Sequence, residues 1–292
     1  MKKTLMILSA VALLAACSGK PAFDPATVAD ATAEQVTRVE PLSWWTGMKM
    51  PLQLLVQGEN ISEYDVAIEG GAGVSVEKIN KADSPNYLFV DVKIAANAQP
   101  GTYYIVFSKD GQSFKYPYEI ASRREGSAER TSFTTADMIY LIMPDRFANG
   151  DPSNDAVEGM PDKADRSKPF GRHGGDIQGI IDHLDYISEL GATAIWCTPL
   201  IEDNLEKTTY HGYACTDYYH IDGRFGDNDL FKTYVEKAHE KDLKIIMDIV
   251  PNHAGSGHWW MADVPFKDWY HVFDTYTGSN IVFSTNMDPN AS

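Results

Sequence analysis

Apolar positions along this chain follow two different periods. From Val36 to Ile120 they fall in short runs rich in branched and aromatic residues: Leu52 to Val56, Val74 to Ile79, Tyr87 to Ile94, Thr102 to Phe107 and Phe114 to Ile120. Pro100-Gly101 and Asp110-Gly111 supply turns between them, the second inside a predicted hairpin. About seven short strands with no helical period among them predict an all-β, immunoglobulin-like sandwich. Arg123 to Thr135 is polar and charged and reads as a linker. Beyond it the period alternates. Ile139 to Met143 is an apolar strand, and Ile177, Ile180, Ile181, Leu184, Ile187 and Leu190 recur at helical spacing before a Gly191 stop. Thr193 to Cys197 is the next strand. Leu230, Phe231, Tyr234, Val235 and Ala238 form a second helical stripe, followed by the strand Leu243 to Met247. Each stripe is core, and the order β-α-β-α-β predicts a parallel sheet with right-handed crossovers.

Composition adds little to the fold but narrows the partners. With 292 residues and a formal charge of −16, the chain has room for two domains and disfavours nucleic acid and anionic lipid headgroups. A neutral polyol is indifferent to that charge. Lys2 and Lys3 precede an apolar stretch, Leu5 to Leu14, too short to span a bilayer. Leu14-Ala15-Ala16-Cys17 matches a lipoprotein cleavage site, with acylation of Cys17 as the only membrane attachment. Ser18 after the cysteine points to the outer membrane, facing the periplasm. The expected organisation is a signal peptide at 1–16, a tether at 17–34, the sandwich at 35–121, a linker at 122–136 and an α/β unit at 137–292. Cys197 and Cys215 are expected as separate, unreactive thiols.

Three groups of residues carry candidate chemistry. Asn149, Asp151, Asn154 and Asp155 crowd one loop after the first α/β strand, and Gly174-Gly175-Asp176 adds a carboxylate and a bent backbone. Calcium takes six to eight such oxygens; on composition alone the favoured reading of the same loop is a turn with Asx caps, Asp176 capping the helix at Ile177. Tyr210, His211 and Tyr213, with Asp217-Tyr218-Tyr219, place aromatic rings with polar tips after the second strand, suited to sugar faces or to loop packing. Trp259, Trp260 and Trp269, with Tyr270, read as packing, with a substrate groove as the alternative. The third strand closes on Asp248-Ile249-Val250-Pro251-Asn252-His253. A buried strand delivering Asp, Asn and His from its carboxyl end looks like the active-site rim of an α/β barrel.

Together these stretches resemble a known family. Asp248 to His253 is similar to the first signature of the α-amylase superfamily of glycoside hydrolases. Pro144-Asp145-Arg146-Phe147-Ala148-Asn149-Gly150-Asp151, Tyr210-His211-Gly212-Tyr213 and Asp217 to Asp222 resemble its cyclomaltodextrinase and neopullulanase branch, as do Val39-Glu40-Pro41 and Trp44-Trp45-Thr46-Gly47-Met48 near the N-terminus. The resemblance implies a calcium site at Asn149, Asp151, Asn154, Asp155, Gly174 (through its carbonyl) and Asp176. It implies that Tyr213 stacks on the glucose at the cleavage point, that His253 holds hydroxyls of that sugar, and that Asp248 supports it, with Tyr210, His211 and Asn252 in the rim. The implied substrates are maltooligosaccharides, cyclodextrins or pullulan, cleaved at α-1,4 bonds with retention. The sandwich would serve dimerisation or shape the cleft.

Retaining hydrolysis needs two carboxyl groups about 5–5.5 Å apart. In this family they are the Asp of a Gly-x-Arg-x-Asp strand and a Glu on the next strand, and both follow the His253 signature. Here Gly223-Arg224-Phe225-Gly226-Asp227 has Arg one position early, and no Glu follows Glu240. A (β/α)₈ barrel takes about 250 residues, more than 137–292 offers. The expectation is therefore an incomplete TIM barrel, its first three strands and the start of an inserted domain, with no catalytic pair and no turnover of its own. The alternatives are a non-catalytic glucan-binding lipoprotein and a transglycosylase of the same superfamily.

Overall fold

The computed structural model describes residues 23–270 except Ala128 and Thr131. The signal peptide, Cys17 and most of the expected inserted domain lie outside the described residues. No helix among those described is long and apolar enough to cross a membrane.

The N-terminal part is a sandwich of nine strands: β1 (Ala29–Asp30), β2 (Arg38–Glu40), β3 (Ser43–Trp45), β4 (Leu52–Gln57), β5 (Asp65–Glu69), β6 (Val74–Lys81), β7 (Tyr87–Ile94), β8 (Gly101–Lys109) and β9 (Gln112–Ala121). One sheet runs β1-β9-β8-β5 with β3 also on β9, and the other runs β2-β4-β7-β6. Alternation gives each sheet one apolar face to bury against the other. In β4, Leu52, Leu54 and Val56 face inward, and Ile105, Phe107, Phe114 and Ile120 meet them from the opposite sheet. Residues 29–30, expected within a tether, instead pair in parallel with Phe114 and Lys115, and Lys115 bridges to Asp30 at 2.7 Å. Two residues are too short a strand for alternation to show.

The α/β part comprises β10 (Ile139–Ile142), α1 (Pro144–Phe147), α2 (Ile177–Asp182), α3 (Leu184–Glu189), β11 (Ala194–Cys197), β12 (Ile201–Glu202), β13 (Asp217–Ile221), α4 (Asn228–His239) and β14 (Lys244–Met247). The sheet β10-β11-β14 is parallel, with Tyr140, Ile195 and Ile245 in register. The helices pack on the face carrying Ile142, Ile195 and Cys197, while Leu141 and Trp196 stand exposed on the other. The single helix expected over 177–190 is broken at His183, whose ring bonds Gly179 O at 2.7 Å and whose backbone leaves the helical region. Cys197 and Cys215 are free and buried, and burial pushes both thiols up to about 12.

The two parts meet along β2 and β7. Tyr87 donates its hydroxyl to Asp263 O at 2.6 Å and stacks on Trp259, Ser84 and Asn86 each donate to Asp263 Oδ2 at 2.9 Å, and Phe89 stacks on Phe266. Arg38 lies 4.8 Å over the Trp259 ring and spends its short bond, 2.6 Å, on buried Asp217. Glu40, 3.5 Å from the same guanidinium, is left under-compensated. Burial first, then the neighbouring Asp217 charge, raises its pKa from 4.5 to about 7. The folded protein thus keeps the Glu40 proton to higher pH than the unfolded chain does. Its contribution to stability is full below about 4.5 and is lost as pH rises through about 7. Between pH 5 and pH 8 the wild type is expected to lose on the order of 2 kcal/mol relative to Glu40→Gln. Urea unfolding of both proteins at the two pH values checks this; parallel pH profiles would contradict it.

Candidate active-site rim

Two loops at the carboxyl ends of β11 and β14 converge. Asp248, the first residue past β14, accepts from Trp196 Nε1 at 3.1 Å and from the Tyr213 hydroxyl at 3.2 Å through the same oxygen, Oδ2. Its other oxygen has no partner among the described residues. The strand that carries it is half-buried rather than buried as the sequence predicts, because helices cover one face of this sheet only. Tyr213 is 39% exposed, and burial, then the adjacent Asp248 charge, raises its phenol. The bend that presents it needs Gly212: φ is +75°, and a side chain there would run into the Pro199 carbonyl.

The neighbouring histidines hold backbone. His211 Nδ1 accepts from Tyr213 N at 2.9 Å, and burial lowers its pKa, favouring the neutral acceptor. His253 Nε2 meets Tyr213 O at 2.9 Å while Asn252 Nδ2 meets its Nδ1 at 3.1 Å, which puts the ring proton on Nε2. Both nitrogens of His253 are thereby engaged within the protein, so holding a ligand hydroxyl requires giving up one of these bonds. Tyr218 fixes the same turn through Val250 O and His253 O at 3.1 and 2.7 Å. Tyr210 lies to one side, its ring 4.2 Å under the Arg146 guanidinium. Five of the predicted residues, His211, Tyr213, Asp248, Asn252 and His253, thus form one hydrogen-bonded rim, with the Tyr210 ring packed edge-on against His211.

The oxygen-rich loop assembles around Asp176. Its carboxylate, fully buried, accepts from Gly150 N, Asp151 N, Asn154 Nδ2 and Gly179 N at 3.0, 2.9, 3.2 and 2.6 Å. Asp176 and Asp151 also act as caps, Asp151 turning Oδ1 to Ser153. Asn149 donates to Asp155 Oδ1 at 2.9 Å, and Gly174, with φ +85°, sits against both. Asn149 Oδ1 and Asn154 Oδ1 are buried with no hydrogen-bond partner. Two orphaned amide oxygens beside carboxylates match the demands of a hard cation. Among the described residues, no three His, Cys, Asp or Glu side chains converge on a metal position, so such a site depends on amide and backbone oxygens.

Beneath the rim lies a buried ionic network to which the sequence reading assigned no role. Asp222 accepts from Arg224 N, Nε and Nη2 at 2.9, 2.9 and 2.7 Å and from Asp203 N, with Arg172 at 3.8 Å. Burial raises its carboxyl, but the Arg224 bonds and the two guanidinium charges outweigh that and leave it below the usual range. Arg172 reaches on to Asp145, which accepts from His173 N and Gly174 N, tying the network to the oxygen-rich loop. Trp196, Arg146 and Arg172 also escaped a sequence assignment. The only signal for them was a charged pair, Asp145-Arg146, directly after an apolar strand.

A family model described as the α-amylase catalytic domain matches residues 141–290, and one described as the cyclomaltodextrinase N-terminal domain matches 38–124. Over 138 residues the chain is 46% identical to a β/α-amylase of Paenibacillus polymyxa, covering 46% of this chain and 11% of that protein. It is 40% identical over 142 residues to a cyclomaltodextrinase of Bacillus sp (46% and 25% covered) and 41% over 157 residues to neopullulanase 2 of Thermoactinomyces vulgaris (49% and 26%). A solved Anoxybacillus α-amylase shares 46% identity over 49% of this chain and 30% of its own, with a TM-score of 0.44. The chain spans about a quarter or less of the length of these curated relatives. Since the first family model takes in more than half of its residues, the chain belongs to the α-amylase family and carries that family's catalytic-domain sequence behind a cyclomaltodextrinase-type N-terminal domain.

Proposed function

We propose that this chain forms the sugar-holding part of an α-glucan hydrolase that cleaves α-1,4 bonds in maltooligosaccharides, cyclodextrins or pullulan with retention. The observation that carries the reading is Asp248 with Tyr213: an exposed ring hydrogen-bonded to a strand-end carboxylate whose second oxygen has no partner among the described residues. The ring offers a face to the apolar side of a glucose unit, and that second oxygen accepts from its hydroxyls. The relatives named cyclomaltodextrinase and neopullulanase support the substrate class. The retaining pair of carboxylates is not among the residues assigned here, and cleavage depends on groups these residues do not provide.

Calcium belongs to the same proposal. Asn149, Asn154, Asp155, Asp176 and the Gly174 carbonyl would hold it, Asp151 joining by releasing Ser153. The ion would supply positive charge that fixes the loop against α2. Binding of maltotriose by calorimetry tests the sugar reading. Tyr213→Ala is expected to weaken it about tenfold or more, the equivalent of one aromatic platform and one hydrogen bond. A wild-type protein that ignores maltotriose sinks the proposal.

A further inference from the structure

A second aromatic ring stands beside the rim with no aromatic partner among the described residues. Phe170 is 73% exposed, and a single exposed ring on a loose loop would need no explanation. This one is not on a loose loop. Lys168-Pro169-Phe170-Gly171 is a β-turn closed by Gly171 N to Lys168 O at 3.0 Å, with Pro presetting its first corner. Arg146 Nη2 donates to Pro169 O and Gly171 O, at 3.0 and 2.9 Å, on either side of Phe170. The same guanidinium holds Asp145 and stacks on Tyr210. One partly buried cation therefore fixes the backbone that carries the exposed ring relative to the rim tyrosine.

Phe170 lines a groove of about 820 Å³, within the range of small-molecule sites. Its far wall, Glu206 to Thr208, ends two residues before Tyr210 and is tied across the base by Thr209 donating to Asp162 at 3.0 Å through both N and Oγ1. The charged lining balances: Lys163, Lys168 and Lys207 against Asp162, Asp165 and Glu206. A groove with an aromatic platform, many hydrogen-bonding tips and no net charge suits a neutral polyol. We propose that this groove is an extension of the sugar-binding rim, with Phe170 as the platform for a glucose unit remote from Tyr213, so that it selects longer α-glucan chains. The proposal rests on the glucan reading above.

The test is a length series from maltose to maltoheptaose, with affinities measured by calorimetry on the wild type, Phe170→Ala and Phe170→Trp. The wild type is expected to bind maltoheptaose about tenfold more tightly than maltose, and Phe170→Ala to reduce that ratio below about threefold, with Phe170→Trp restoring it. The exposed position leaves folding intact, checked by circular dichroism. If Phe170→Ala keeps the wild-type ratio, or the wild type shows none, the groove proposal is overturned while the rim reading stands. If the wild type binds no oligosaccharide of any length, both fall.

Discussion

Asp222→Ala is expected to destabilise the α/β part by about 3–5 kcal/mol, a large fraction of the stability of an ordinary domain. The carboxylate is fully buried and neutralises two guanidiniums that are themselves buried, Arg172 and Arg224. Removing it takes the ion-pair partner from Arg224 and leaves Arg172 with Asp145 alone, at 3.8 Å, in a low-dielectric interior, and the backbone N–H groups of Asp203 and Arg224 lose their acceptor. Asp222→Asn keeps an acceptor but not the charge, and should fall between wild type and alanine. Chemical denaturation monitored by tryptophan fluorescence reads the effect, since Trp196 lies in the same unit. A loss below about 1 kcal/mol would mean that the arginines find other partners, and the network would not be the scaffold of the rim.

The second large effect belongs to Asp176→Ala. Four donors converge on this buried carboxylate, and alanine removes the acceptor of all of them, two on buried residues (Asn154 and Gly179) and two on half-buried ones (Gly150 and Asp151). At about 1–3 kcal/mol per orphaned group, with strong non-additivity, at least about 3 kcal/mol is expected. Calcium separates structure from metal binding. For wild type, calcium at a hundredfold excess over its dissociation constant should add about 2.7 kcal/mol, read as a rise in melting temperature that a chelator reverses. Asp176→Asn should fold yet lose that response. A wild type whose melting temperature ignores calcium would leave Asp176 as a helix cap and remove the metal from the proposal.

Much of this was legible in the sequence, for reasons particular elements make plain. β4, β6, β7, β8 and β9 announce themselves through branched and aromatic runs, and α4 through its stripe. β1 and β3 do not, because two or three residues carry no period. The break at His183 was hidden because a ring-to-carbonyl bond interrupts a helix without disturbing apolar spacing. The rim was legible as a set of residues, yet its wiring was not: sequence left His253 as either a donor to sugar hydroxyls or a satisfied structural histidine, and the structure has both its nitrogens bonded within the protein. Gly223-Arg224-Phe225-Gly226-Asp227, the nearest imitation of a nucleophile strand, proves to be a turn whose Arg224 neutralises Asp222. Buried charge pairs of this kind escape sequence reading because charged residues in turns are ordinarily solvated. Trp259 and Trp269, read as packing, do pack, against Tyr87 and Phe89.

That last contact bears on how the molecule can be recombined. The polar stretch after Ala121 looks like the natural junction for exchanging the sandwich with one from a relative. The interface around Asp263 lies nearly 180 positions downstream of the strands it touches. Ser84, Asn86, Tyr87 and Phe89 recognise it by hydrogen bonds and stacking, in the manner of a lock cut for one key. A chimaera joined at the linker but mismatched at these four positions would keep the Arg38–Asp217 ion pair yet lose the stacking and hydrogen bonds that orient one module on the other. The unit of inheritance is the sandwich together with the segment from His258 to Tyr270.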